Sequence, residues 1–326
     1  MIRLLACLGL AFGLAACAGM PEREPRPVRV LYLSQSVGFV HDTVRRPPDG
    51  LAPSETALLA MARDSGAFTV ELSQDAREIT PAKLEAIDVL MFSTTGPLPI
   101  DPAAWVAITA WIESGRGGFV GVHSATDTAL DFENGQAIWT EFVNGRFDGH
   151  PWTQATPIRL ANLEPSHPLA AMWPDGTDYG EEIYQYVGFD PDKVRVLQAL
   201  DMSAGPLRRP YPVPVTWVRQ LGEGRLFYTN LGHTPSTWDD PRFRRQIVEA
   251  ILWTAGRTDA AVAPNPDVQE AAARAAFAAV EGVAPVEGPD TAALIVELQA
   301  LHPDRRGGDA TAWDAARSRL KGVAAE

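Results

Sequence analysis

The sequence predicts a single doubly wound α/β domain with a mainly parallel sheet, followed by a C-terminal helical extension. Three observations carry that prediction. Short β-rich apolar runs alternate with helical segments across residues 28–257, and a β-α-β-α-β order implies parallel strands, right-handed crossovers and helices on both faces. Of the 326 residues, 46% are hydrophobic and 21% charged, enough apolar side chain for a sizeable core. After Arg257 the composition shifts to Ala, Asp, Glu and Pro in helical spacing.

Taken in order, Val28-Arg29-Val30-Leu31-Tyr32-Leu33 reads as a first buried strand. Residues 54–65 have helical spacing, with Ser54 as the expected cap and Gly66 just past the end. Residues 68–72 and 87–93 read as strands. Asp101 opens a helix with Pro102 in its first turn, running through Trp105, Ile108 and Trp111 to Gly115. Those tryptophans are expected in the core. Residues 118–123 form the next buried strand, with later strands at 194–200, 213–219 and 225–230 and a closing helix over 241–255. The extension, 258–326, has helical stretches at 268–280, 292–301 and 310–323, and reads as a small appendage or a loosely packed tail. Within it, His302-Pro303-Asp304 resembles the loop of chaperone J-domains. The helix before that loop is basic in J-domains, whereas residues 292–301 contain no Lys or Arg, so a chance similarity is the preferred reading.

The N-terminus is expected to lie outside the fold. Arg3 precedes an apolar run from Leu4 to Ala16, too short to span as an ordinary membrane helix and shaped like a secretory signal peptide. Leu14-Ala15-Ala16-Cys17 resembles the bacterial lipoprotein cleavage box. That resemblance implies cleavage after residue 16, acylation of Cys17, and a Pro-rich tether over 17–27. Ala18 after the Cys favours the outer membrane, so the expected location is the bacterial cell envelope, anchored by lipid on its periplasmic face. Cys7 and Cys17 are the two cysteines, so the mature chain would carry no free thiol and no disulfide. The formal net charge is −13, and no dense Lys/Arg cluster appears. Nucleic acid is therefore not an expected partner, and neutral or cationic ligands suit the acidic surface. No nucleotide cofactor is expected, and the oligomeric state stays open.

In an open α/β sheet, ligands gather beyond the carboxyl ends of the strands. The chain has six histidines. His41 follows the first strand, His123 ends the 118–122 strand, His233 follows the last strand, and His150 lies in Gly149-His150-Pro151. His167 and His302, each before a Pro in a loop, look less placed.

These blocks resemble the ThuA-like family, named for trehalose utilisation, over about residues 28–257. The resemblance rests on Gly38-Phe39-Val40-His41, Gly121-Val122-His123-Ser124-Ala125-Thr126-Asp127, Gly149-His150-Pro151 and Glu181-Glu182-Ile183-Tyr184-Gln185-Tyr186. It continues through Pro214-Val215-Thr216-Trp217, residues 222–229, Leu231-Gly232-His233-Thr234, Trp238 and Pro241-Arg242-Phe243-Arg244. One departure is Glu181, where the family commonly has Asp. The resemblance implies a flavodoxin-like fold of the class I glutamine amidotransferase type, and sugars or keto-sugars as ligands. A glutaminase is excluded, because that chemistry needs a Cys nucleophile after a strand and His123 stands there instead. A Ser hydrolase at Ser124 lacks the Gly-x-Ser-x-Gly elbow.

His41, His123, His233 and Glu182 are the ligand types for zinc or a similar divalent metal. Without a metal the same groups serve as general acid and base, or as hydrogen-bonding groups shaping a polar cleft. His123 and Glu182 are the candidate catalytic residues, with Asp127 as the partner that would orient His123 or cap its turn. His150, Trp152, Tyr184 and Trp238 are the candidate substrate-binding residues, the tryptophans by stacking on sugar faces. Three functions stand: an envelope-anchored hydrolase, lyase or isomerase of sugars; a non-catalytic sugar-binding lipoprotein; and an interaction protein recruiting through its C-terminal helices.

Overall fold

A computed structural model describes residues 26–128, 135–154, 156–288 and 291–322. The expected signal peptide and Cys17 lie outside the described residues. In chain order the elements are β1 (Val28–Leu33), α1 (Pro53–Ser65), β2 (Phe68–Ser73), α2 (Pro81–Ala86), β3 (Val89–Phe92), α3 (Pro102–Glu113), β4 (Gly118–Val122), α4 (Gly135–Val143), β5 (Arg146–Phe147) and β6 (Pro157–Asn162). There follow β7 (Thr177–Gly180), β8 (Tyr186–Val187), β9 (Arg195–Leu200), β10 (Pro214–Leu221), β11 (Gly224–Thr229), α5 (Pro235–Asp239), α6 (Pro241–Thr254), α7 (Pro266–Glu281), α8 (Thr291–Leu301) and α9 (Ala310–Leu320).

The main sheet has nine strands in the order β2-β1-β3-β4-β11-β10-β9-β6-β7. From β2 to β11 every pairing is parallel. The remaining four strands extend that parallel half through antiparallel pairings. The chain leaves β1 for β2 on one side and returns to β3 on the other. The switch point therefore lies between the carboxyl ends of β1 and β3, where ligands collect in this architecture.

Strand alternation divides the core in two. Val28, Val30 and Tyr32 of β1 face one cluster with α1 and α6, while Leu31 and Leu33 face another with α2, α3 and α4. Both clusters are closed by large rings, including Trp173, Trp238 and Trp253 on the first side and Trp105, Trp111 and Trp139 on the second. The extension is packed into the first cluster: α7 contributes Ala273 and Phe277, α8 Ile295 and Leu298, and α9 Ala316 and Leu320.

The sequence located the parallel strands within a residue or two. It did not show α2, α4 and α5, the short ribbon strands β5 and β8, or the sheet-edge strands β6 and β7. One local expectation is corrected. Helix α1 begins at Pro53, and the Glu55 carboxylate accepts the Ala52 backbone N–H at 3.0 Å, so Ser54 is not the cap. Pro53 has no N–H to satisfy and is preorganised for a first helical position, which starts the helix one residue early.

Where β10 turns into β11, Gly224 sits against the end of α3, and a Cβ there would overlap the Ile112 backbone carbonyl. Backbone cannot rotate aside as a side chain can. Gly224→Ala is expected to cost about 1–3 kcal/mol of unfolding free energy, of the size overpacking usually brings. Urea denaturation checks this, and an unchanged midpoint would show that α3 and the hairpin can separate freely.

Candidate functional site

The site lies at the carboxyl ends of β1, β3, β4 and β11. The loop after β1 is bound to the loop after β3 by the Val37 N–H, which donates to the Thr95 carbonyl at 2.8 Å. Gly96 permits this approach: its φ is +79° and a Cβ would strike the Val37 carbonyl. His41 is buried at the end of this loop, with Nδ1 3.4 Å from Thr95 Oγ1 and Nε2 3.2 Å from Tyr184 Oη.

His123 follows β4 at φ +48°, a left-handed conformation that costs a non-Gly residue free energy and marks functional turns. Two bonds hold it there. Its carbonyl accepts the Tyr228 hydroxyl at 2.6 Å, and its Nδ1 lies 2.7 Å from the Asn230 carbonyl. A carbonyl only accepts, so Nδ1 carries the proton and the Nε2 lone pair faces the site. That Nε2 lies 3.1 Å from His233 Nδ1 and 3.5 Å from Glu182 Oε1. His233 Nδ1 lies 3.2 Å from the same Glu182 oxygen. His150, about half exposed, places Nδ1 3.5 Å from Glu182 Oε2 at the rim.

One donor atom from each of His41, His123, Glu182 and His233 lies within 4.8 Å of the others. A tetrahedral ion with bonds of about 2.0–2.1 Å separates its donors by about 3.4 Å. The three spacings among His123, His233 and Glu182 match that figure, so the donor set and geometry fit a divalent first-row ion.

The electrostatics follow from burial and this crowding. Burial pushes His41 down to about 2, helped by repulsion from His123 and His233, so it is a neutral imidazole at any ordinary pH. Burial also pushes the Glu182 carboxyl up, but the adjacent His123 and His233 rings outweigh it and hold the group well below the usual carboxylate range. For His233, burial is outweighed by the bond to Glu182 and its pKa rises. Tyr184, buried against these rings, is raised well above its ordinary value, mainly by burial and then by the Glu182 charge. It is a neutral hydroxyl.

Other sequence candidates are placed differently. Trp152 and Trp238 are both core residues, 2% and 1% exposed, with no ring face open to a ligand. Their indole N–H groups donate to the Leu207 and Gly232 carbonyls, so Trp238 braces the backbone just before His233. Asp127 is not among the converging donors, and the orienting bond to His123 Nδ1 comes from the Asn230 carbonyl. His167 and His302 accept backbone N–H groups within their own loops, from Leu169 and Asp304.

Three contributors were not anticipated. Asn230 pairs with the Tyr184 backbone in both directions, donating to its carbonyl at 3.1 Å and accepting its N–H at 3.2 Å. Glu181, fully buried, accepts the N–H groups of Glu182 and Gly232, each at 3.1 Å, and so ties together the backbones next to two donors. Phe39, 66% exposed, stands edge-on to His41 with ring centroids 4.8 Å apart. The paired acids at 181–182 and the Asn at a strand end were visible in sequence, but their bonding partners were not.

Comparison with known proteins adds the family. A family model described as ThuA, trehalose utilisation, matches residues 29–254. A ThuA-like protein from Bacteroides uniformis ATCC 8492 is similar in structure at TM-score 0.55 and 19% identity, covering 72% of this chain and 95% of that one. Another, from Parabacteroides merdae ATCC 43184, gives TM-score 0.52 at 13% identity over 70% of this chain and 90% of that one. No curated protein matches the chain. At these identities the two structures show the shared fold.

Asp127 supplies a test of strain at this end of the sheet. Burial pushes its carboxyl up to about 6, although Arg306 and Arg146 act in the other direction. The unfolded value is about 3.9, so the native state binds the proton more tightly. Its stability contribution is present below pH 4 and is lost as pH rises through 6. Asp127→Asn should therefore raise Tm relative to wild type at pH 7.5 and give no gain at pH 4. An equal shift at both pH values would show that the carboxylate is not strained.

Proposed function

The chain belongs to the ThuA, trehalose utilisation, family, and from that premise we propose a carbohydrate-acting enzyme that holds a divalent metal on His41, His123, His233 and Glu182. The observation that carries the reading is the convergence of three imidazoles and one carboxylate from four separate loops, with donor atoms within 4.8 Å of one another and those of His123, His233 and Glu182 at tetrahedral spacing. Such an ion, when bound, supplies a Lewis acid for a sugar carbonyl or for water. The chain's own residues do the rest. The Asn230 carbonyl fixes the His123 tautomer so that its lone pair points inward. Burial keeps His41 unprotonated and available as a donor at neutral pH. His150, exposed at the rim and beside Glu182 Oε2, is the group placed to exchange a proton with substrate and solvent. Sugars or keto-sugar glycosides are the substrate class the family points to. The same reading has the chain exported and acylated at Cys17, which would put this site on the periplasmic side of the envelope.

Metal analysis of the purified mature protein should find one zinc, manganese or nickel ion per chain. Supplying the ion at about 100 times its Kd should add about 2.7 kcal/mol to the unfolding free energy. His123→Ala and Glu182→Gln should remove both effects while far-UV circular dichroism stays native. Turnover of a keto-glycoside would then separate an enzyme from a sugar-binding protein. A folded wild-type protein that takes up none of these ions at saturation overturns the metal reading. Mass spectrometry of membrane fractions should show an acyl modification at Cys17 that Cys17→Ser removes, and unmodified soluble protein would overturn the anchor.

A further inference from the structure

Glu182, Tyr184 and His150 do not sit on the parallel sheet. They are carried by a small ribbon apart from it. Its core is the antiparallel pair Arg146–Phe147 and Tyr186–Val187. The ribbon continues toward the site: the Asp148 N–H donates to the Gln185 carbonyl at 2.9 Å, Gln185 N–H to Gly149 at 3.0 Å, and Ile183 N–H to Trp152 at 2.9 Å. So small a ribbon has little stability of its own. Something must fix it.

The turn between α8 and α9 does so. Arg305 enters the protein with its side chain only 4% exposed and places Nε 3.1 Å from Asp148 Oδ2, whose carboxylate is equally buried. The same guanidinium donates to the Tyr186 carbonyl. Gln185 Nε2 donates to Asp148 O at 2.9 Å and reaches the Asp304 carbonyl at 3.5 Å. The Arg306 N–H reaches Asp148 Oδ1 at 3.4 Å. The turn is anchored in its own right, by the Arg209–Asp304 ion pair and by His302 lying edge-on to Tyr211 and Trp313.

We propose that the 302–306 turn is a brace for the candidate site, and that Arg305 is a positioning residue fixing the ribbon that carries His150, Glu182 and Tyr184. The inference rests on the reading of that cluster as the functional site. The physical argument is that a buried charge is costly to leave unpaired, and Arg305 pairs with Asp148 on one strand of the ribbon while donating to the Tyr186 carbonyl on the other. It also gives the His-Pro-Asp-Arg-Arg segment a role inside this chain, with His302 packed away from solvent.

The test uses the full chain and two readouts. Arg305→Met and the milder Arg305→Lys are compared with wild type by hydrogen–deuterium exchange and by zinc titration well below Tm. Local positioning predicts faster exchange in 146–152 and 182–187, unchanged exchange in β1 and α1, and at least a tenfold weaker zinc affinity for Arg305→Met. Arg305→Lys, able to keep the charge near Asp148 but not the fork to Tyr186, should fall between. Uniform or unchanged exchange, or zinc affinity within twofold of wild type, overturns the brace. If Arg305→Met does not fold, Arg305→Lys alone is judged by the same criteria, with a threefold loss of affinity as its threshold. If wild type binds no zinc, the metal reading fails, and the exchange pattern by itself decides the brace.

Discussion

The bond from His123 to the Asn230 carbonyl joins the ends of two neighbouring parallel strands, β4 and β11, at a residue held in the left-handed backbone region. The rest of the site depends on it. Without that acceptor the imidazole would have no reason to show its Nε2 lone pair to the cluster, and the left-handed turn would hold a donor aimed at nothing. Asn230 serves twice. Its backbone fixes His123 while its side chain pairs with the Tyr184 backbone, so one residue sets the distance between the sheet and the ribbon. Glu181 repeats the device one step away, linking the backbones of Glu182 and Gly232. The buried polar groups around the donors are thus mostly spent on backbone, which is what holds side chains to fractions of an ångström.

Much of this was legible in the sequence. The central parallel strands β3, β4 and β11 are largely apolar runs because both their faces are covered, and such runs are easy to find. Scarce histidines at the carboxyl ends of those runs were a sound guide, since a fold with fixed topology brings those ends to one edge. What escaped notice has a physical cause. The strands β5 and β8 are two residues each and earn their pairing from contacts made elsewhere, notably with the 302–306 turn. The edge strand β7, Thr177-Asp178-Tyr179-Gly180, is largely polar and Gly-ended and so lacks a strand pattern. The strand β6 does alternate buried and more open positions, but Pro157 and Asn162 bracket it like loop residues.

The tryptophans illustrate a different limit. Proximity in sequence to His233 made Trp238 look like part of a binding surface. In the fold it is buried in the core, its indole N–H donated to the Gly232 carbonyl. Nothing in sequence distinguishes a ring above a ligand from a ring beneath the loop that holds the ligand. Among the described residues the large exposed aromatic ring is Phe39, in the block that carries His41.

The electrostatic consequence of this packing is the last link. Three imidazole rings with centroids about 5 Å apart share a single carboxylate. Each proton added to the cluster after the one that satisfies Glu182 must sit beside an existing positive charge, in surroundings that solvate charge poorly. His41 shows the result, with burial and its neighbours together keeping it neutral. His233 shows the exception, because it alone combines a short carboxylate contact with a partly open side. The crowding therefore disfavours more than a little positive charge on these rings, and the His123 Nε2 lone pair is directed inward. Under the proposed reading His41 and the His123 Nε2 are ready as neutral donors, while any proton held between His233 and Glu182 must leave as a cation enters.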